Sequence, residues 1–114
     1  MKITEVARLL SASFYCGEEY QEKEVKSGCG ADMMSDVLAF AKDHSVLLTG
    51  LLNPQVVRTA EMMDIICIVL VRGKQPTDTM IELACERSLP LLVTQHTMFD
   101  ACGILYRAGI PGRD

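Results

Sequence analysis

Apolar residues in this chain gather into three short, nearly unbroken segments: Val46-Leu47-Leu48-Thr49-Gly50, residues 65–73 and Leu91-Leu92-Val93-Thr94. Each is followed by a turn and an amphipathic stretch. A strand covered on one face alternates apolar with polar positions, whereas a strand covered on both faces reads as a continuous apolar run. The pattern therefore predicts parallel strands joined by crossover helices. The fold class is α/β, a single domain over residues 1–114 with a largely parallel sheet and helices on both faces.

The intervening periodicity supplies the helices. Near the N-terminus it predicts one from Glu5 to about Ala12, with Thr4 as N-cap and Val6, Leu9 and Leu10 inward. A short strand at residues 13–16 follows, and Gly17 ends it. The charged residues 18–26 read as a solvated loop running into an edge strand near residues 23–27, since charges on an edge discourage pairing with other chains. Gly28-Cys29-Gly30 opens a helix at Asp32 whose sheet-facing stripe is Met33, Met34, Val37, Leu38 and Ala41. Asn53 and Pro54 announce the next helix, because proline at the first helical position loses no hydrogen bond. Its inward residues are Val56, Val57, Ala60 and Met63. Pro76-Thr77-Asp78 begins a helix carrying Ile81, Ala84 and Cys85, and Pro90 ends it. Thr97-Met98-Phe99-Asp100 then starts a last helix, whose stripe of Met98, Ala101, Cys102 and Leu105 runs to Gly109. The even spacing reflects crossover geometry, not an internal repeat.

Composition narrows the partners. With 114 residues, 49% of them hydrophobic and 23% charged, the chain is sized for one domain that buries a core without staples. A net charge of −4 lacks the basic field that nucleic acid requires, and Arg72 with Lys74 forms the one short basic cluster. The longest apolar run is too short for a membrane span, and the N-terminus reads as amphipathic sequence, so a cytoplasmic protein is expected. Five cysteines, an odd number without a C-x-x-C pair, argue against a disulfide framework or a zinc site. Cys67, Cys85 and Cys102 fall in apolar faces, where a free thiol acts as a small hydrophobe. Seven methionines, including the pairs Met33-Met34 and Met62-Met63, suit either core filling or an adaptable contact surface.

Ligands of parallel sheets bind beyond the carboxyl ends of the strands, where loops converge and helix N-termini begin. That rule selects Thr49 and Gly50 with residues 51–53, Arg72, Gly73 and Lys74 with Gln75, and Thr94, His96 and Thr97, joined by residues 28–32. Hydroxyls, an amide, a guanidinium, an ammonium and an imidazole suit an anion or a nucleotide better than an apolar ligand. The same residues have structural alternatives: Thr49 and Thr94 as strand ends, Asn53 and Thr97 as helix caps, the glycines as turns.

Sharper motifs fail on detail. Met33 stands where a dinucleotide fingerprint beginning at Gly28-x-Gly30 needs its third glycine. Gly73-Lys74 lacks the preceding glycine of a phosphate loop and is followed by Gln75 in place of Ser or Thr, which excludes a Walker-type kinase. His44 beside Asp43 reads as a surface residue, and Asp32 with Asp36 lacks the histidines a metal would want. No catalytic residue, metal or cofactor is assigned. An enzyme reading would have to use His96 with a neighbouring carboxylate or Cys102.

The order of motifs from Ala31 onward resembles the DRTGG domain, a small α/β module similar in fold to the N-terminal domain of HPr kinase/phosphorylase. The matching features are Asp32-Met33-Met34-Ser35-Asp36-Val37-Leu38-Ala39, Leu48-Thr49-Gly50 with Pro54, Arg72-Gly73-Lys74-x-Pro76, and Pro90-Leu91-Leu92-x-Thr94 with Thr97-x-Phe99. Of the five-letter signature that names the family, Thr49-Gly50 is present, followed by Leu51-Leu52. The resemblance implies regulation more than catalysis, since such domains accompany CBS-domain pyrophosphatases and phosphotransacetylases and also occur alone. It implies no kinase activity, because in HPr kinase the phosphate loop belongs to the other domain. The expected function is a non-catalytic regulatory or interaction module, homodimeric, sensing an anionic small molecule. The alternative is an adenine-nucleotide sensor that binds across Thr49-Gly50, Arg72-Gly73-Lys74 and residues 94–97.

Overall fold

The structure, a computed structural model, describes residues 1–112. In chain order the elements are α1 (Ile3–Leu10), β1 (Ser13–Cys16), a single 3-10 turn (Glu18–Tyr20), β2 (Ser27–Gly30), α2 (Met34–Phe40), β3 (Ser45–Thr49), α3 (Gln55–Met62), β4 (Cys67–Leu70), α4 (Asp78–Glu86), β5 (Leu91–Val93) and α5 (Met98–Arg107). The strand order is β1-β5-β4-β3-β2, with β2 to β5 parallel and β1 antiparallel beside β5. The three apolar segments are therefore adjacent and point the same way, as their unbroken hydrophobicity predicts.

Every residue of β3, β4 and β5 is buried, and alternate side chains serve opposite faces. Val46, Leu48, Cys67, Val69 and Leu92 pack with α1 and α5, whereas Leu47, Ile68, Leu70, Leu91 and Val93 pack with α2, α3 and α4. Three successive crossovers thus lay their helices on one face. After β5 the chain changes sides, and α5 joins α1 on the other.

Four local expectations are corrected. The first helix begins at Ile3, not Glu5, because tertiary partners serve its first amides: Ile3 N–H donates to the Lys23 carbonyl at 3.0 Å and Thr4 N–H to that of Gln21 at 2.9 Å. Thr4 is therefore inside the helix and caps nothing; Lys2 is the N-cap. The edge strand lies at Ser27–Gly30 rather than within residues 23–27, its place fixed by the parallel ladder to β3 and a 2.7 Å bond between the Ser27 and Ser45 hydroxyls. The helix expected from Asp32 starts at Met34 and buries Val37, while Met33 and Leu38 stay exposed at the margin of the sheet. In α4 the Thr77 hydroxyl accepts the Met80 N–H at 3.1 Å, and this cap sets a phase that buries Met80 and Ala84. Cys85 is consequently exposed, not part of an apolar face.

The cysteines give a check on this layering. Burial pushes the Cys67 thiol up to about 12 from the ordinary 9.0; burial and then the neighbouring Cys85 push Cys16 up to about 12 as well. Both protons leave more easily from the unfolded chain, so their contribution to stability is intact below pH 9.0 and is lost as pH rises toward about 12. Brief alkylation at mildly alkaline pH, read by mass spectrometry, is expected to modify Cys85 first and Cys67 only when the domain unfolds. Equal rates at Cys67 and Cys85 would contradict a fully buried β4.

Candidate functional site

The parallel register aligns Thr49 with Leu70 and Leu70 with Val93, so the loops after β3, β4 and β5 leave from one rim. Two threonines shape it alike. Thr49 Oγ1 accepts the Leu51 N–H at 3.2 Å, and Thr94 Oγ1 accepts the His96 N–H at 3.3 Å, each bending the chain through the amide two residues on. The hydroxyl of Thr49 donates to Asp32 Oδ1 at 3.2 Å, and that of Thr94 to the Leu10 carbonyl at 2.6 Å. Both hydroxyls are engaged within the fold. Asp32 also accepts the Gly50 N–H at 2.7 Å, which brings the segment before α2 to the rim.

Between them stands a tight reversal, Val71-Arg72-Gly73-Lys74. Its central residues have φ of 59° and 65°, and the Lys74 N–H donates to the Val71 carbonyl at 3.2 Å, the marks of a type I′ turn. Glycine suits the second position, but arginine in the left-handed region costs on the order of 1 kcal/mol. The β5 loop holds the turn in place. Arg72 N–H donates to the His96 carbonyl and Gly73 N–H to that of Thr94, each at 2.8 Å. The guanidinium then lies against Gly50, where an added Cβ would stand 2.6 Å from Arg72 Nη2 and 3.5 Å from Asp32 Oδ1. A glycine is what leaves room for the Arg72 guanidinium over the end of β3.

The loop after β4 leads to α4 on one face and the loop after β5 leads to α5 on the other. Such divergence of neighbouring helices marks the usual ligand position in α/β sheets. Arg72 and Lys74 belong to the first loop and Gln95 to the second; a Cβ on Gly73 would come within 2.5 Å of Gln95 Oε1. Tyr15 closes the flank by donating its hydroxyl to Gln75 Oε1 at 2.5 Å. Gln95 and Tyr15 belong to no motif, and only the antiparallel seat of β1 beside β5 could have pointed to Tyr15.

The remaining candidates go elsewhere. The Thr97 hydroxyl accepts the Asp100 N–H at 3.3 Å and caps α5, and Asn53 Oδ1 accepts the Gln55 N–H at 2.8 Å ahead of α3. His96 gives its carbonyl to the rim while the residue lines a groove between α1 and α5. Cys102 faces β2 instead, its Sγ 2.6 Å from where a Gly30 Cβ would sit, so His96 and Cys102 occupy different cavities. Among the described residues no helix is long and apolar enough to cross a membrane.

A sequence profile of the DRTGG domain matches residues 5–108. The chain belongs to the DRTGG domain family. Its fold is similar to a crystal structure of the CBS and DRTGG domains from the regulatory region of Clostridium perfringens pyrophosphatase, complexed with activator, diadenosine tetraphosphate. The TM-score is 0.73 at 18% identity, over 96% of this DRTGG chain and 47% of that one. The likeness is one of fold, and this chain spans about half of its neighbour. No curated protein sequence matches it.

Proposed function

We propose that this DRTGG domain is a non-catalytic regulatory module that acts as a homodimer and senses an anionic small molecule, an adenine nucleotide, at the rim beyond β3, β4 and β5. The observation that supports this most is Arg72: a cation held in a costly left-handed turn and seated over Gly50 at the sheet's ligand position. Backbone strain of this kind persists where surrounding structure imposes it, and it concentrates at binding sites. In this reading the Arg72 fork takes a phosphate and Lys74 adds a point charge. Thr49, Gly50, Gly73, Thr94, His96 and Thr97 shape the loops that present them. The threonine hydroxyls serve neighbouring protein groups, which speaks for sensing over catalysis. The activator of the pyrophosphatase region, an adenine dinucleotide, supports the choice of ligand. Small domain size and family likeness support the dimer.

Native mass spectrometry reads subunit number and any copurified ligand together, and melting curves with AMP, ATP and diadenosine tetraphosphate test the site. A nucleotide at a hundred times its dissociation constant stabilises the native state by about 2.7 kcal/mol, a rise in Tm on the order of 10 °C. Arg72→Asn is expected to abolish that rise while the free variant melts a few degrees higher, since asparagine tolerates the left-handed turn better by about 1 kcal/mol. A variant that responds to nucleotide as the parent does overturns the site. No response of the parent to any of the three overturns the ligand class.

A further inference from the structure

We infer that the outer face of α5 is the surface through which two copies of this chain pair, antiparallel and crossing at Gly103. The inference rests on the homodimer reading above and gives that dimer its interface. Phe99 and Tyr106, 86% and 73% exposed, are the most exposed large hydrophobic residues among those described, and both lie on α5. Between α1 and α5 runs a groove of about 600 Å³ with Leu9 and Ile104 at its apolar side and Phe99, Asp100, Gly103 and Arg107 along its rim. A Cβ at Gly103 would meet nothing within 4 Å, so the helix has a notch on its outer face. Residues four apart share a helix face, and Phe99, Gly103 and Arg107 therefore form one outward stripe centred on that notch.

Charge selects the occupant. The stripe carries Asp100 toward one end and Arg107 at the other. A two-fold axis through Gly103 reverses the second helix, so a residue about 6 Å before the axis meets one the same distance after it. Phe99 then faces the partner's Arg107, a cation over an aromatic ring, and Asp100 comes within reach of the same guanidinium. Each contact occurs twice. A parallel arrangement would instead set Asp100 against its own copy. Glycine at the crossing lets the two helices approach closely, which a groove built for an unrelated ligand would not need. With a net charge of −4 on each chain, undirected pairing is repelled, and the crossed charges favour this register.

Sedimentation velocity of the full chain over a micromolar dilution series tests the surface, with melting curves to show that each variant is folded. The parent chain is expected to be a dimer. Phe99→Ala is expected to weaken it roughly thirty-fold, as truncation of a central aromatic anchor does. Arg107→Glu is expected to weaken it by at least about tenfold, and Asp100→Arg with Arg107→Glu to restore pairing by exchanging the charges. A dimer that neither single variant weakens overturns this interface and leaves the dimer standing. A double variant that stays monomeric overturns the antiparallel register. A monomeric parent chain overturns both this interface and the homodimer, while nucleotide sensing is judged separately by the melting curves.

Discussion

Thr94→Val is expected to lower stability by about 2–3 kcal/mol, a fall in Tm on the order of 10 °C, although the two side chains have nearly the same shape. The Thr94 hydroxyl lies in the interior, with the residue 1% exposed, and donates to the Leu10 carbonyl at 2.6 Å. That carbonyl belongs to the last turn of α1, where helical acceptors have no partner of their own. Valine leaves it unpaired away from water and also removes the acceptor for the His96 N–H. Thr49→Val provides the contrast. It too loses the acceptor of an N–H, that of Leu51, but its hydroxyl donates over a longer 3.2 Å to Asp32, whose residue is exposed so that the carboxylate can turn to water, and a loss of about 1 kcal/mol is expected. Equal losses from the two substitutions, measured by denaturant titration, would contradict the separate duties assigned to them.

Gly17→Ala is expected to cost about 3 kcal/mol, a large share of the total stability of a small domain. Two terms act together. Gly17 has φ of 81°, and an alanine there pays about 1 kcal/mol for the left-handed conformation. Its Cβ would also stand 2.5 Å from Pro90 Cα and 2.9 Å from Pro90 N, atoms of the backbone that enters β5, and relieving such a clash costs about 1–3 kcal/mol. The corner between β1 and β5 would have to open. The expected sign is a lower denaturation midpoint with an unchanged denaturant slope. A variant within 1 kcal/mol of the parent by that measurement would mean that β1 is not held against β5 at this corner.

The sheet was legible because its cause is local and periodic. Leu47, Ile68 and Leu91 announce strands covered on both faces by having no polar neighbours, and both cores follow from that. Asn53, Thr77 and Thr97 marked helix starts because their side chains act within three residues, although Pro54 is the N-cap of α3 and not its first helical residue, which is Gln55. What was not legible depends on distant partners. Ile3 joins α1 through Lys23, β2 is placed by Ser45 more than by its own residues, and the phase of α4 hangs on one cap. The same division holds for the site. The glycines and Arg72 could be chosen from strand ends alone, and the structure brings them together. Asp32 over Gly50, Gln95 against Gly73 and the engagement of Thr94 with Leu10 are contacts across many residues of chain, which no spacing rule predicts.

That the rim beyond β3, β4 and β5 receives an anionic ligand is tested most directly by amide chemical shifts of the isotope-labelled full chain titrated with ATP. The expected result is a saturable set of shifts confined to Gly50, Arg72, Gly73, Lys74 and Gln95, with the opposite end of the sheet, around Lys23, His44 and Arg87, unmoved. Shifts gathered at Lys23, His44 and Arg87, or none at all, would contradict it.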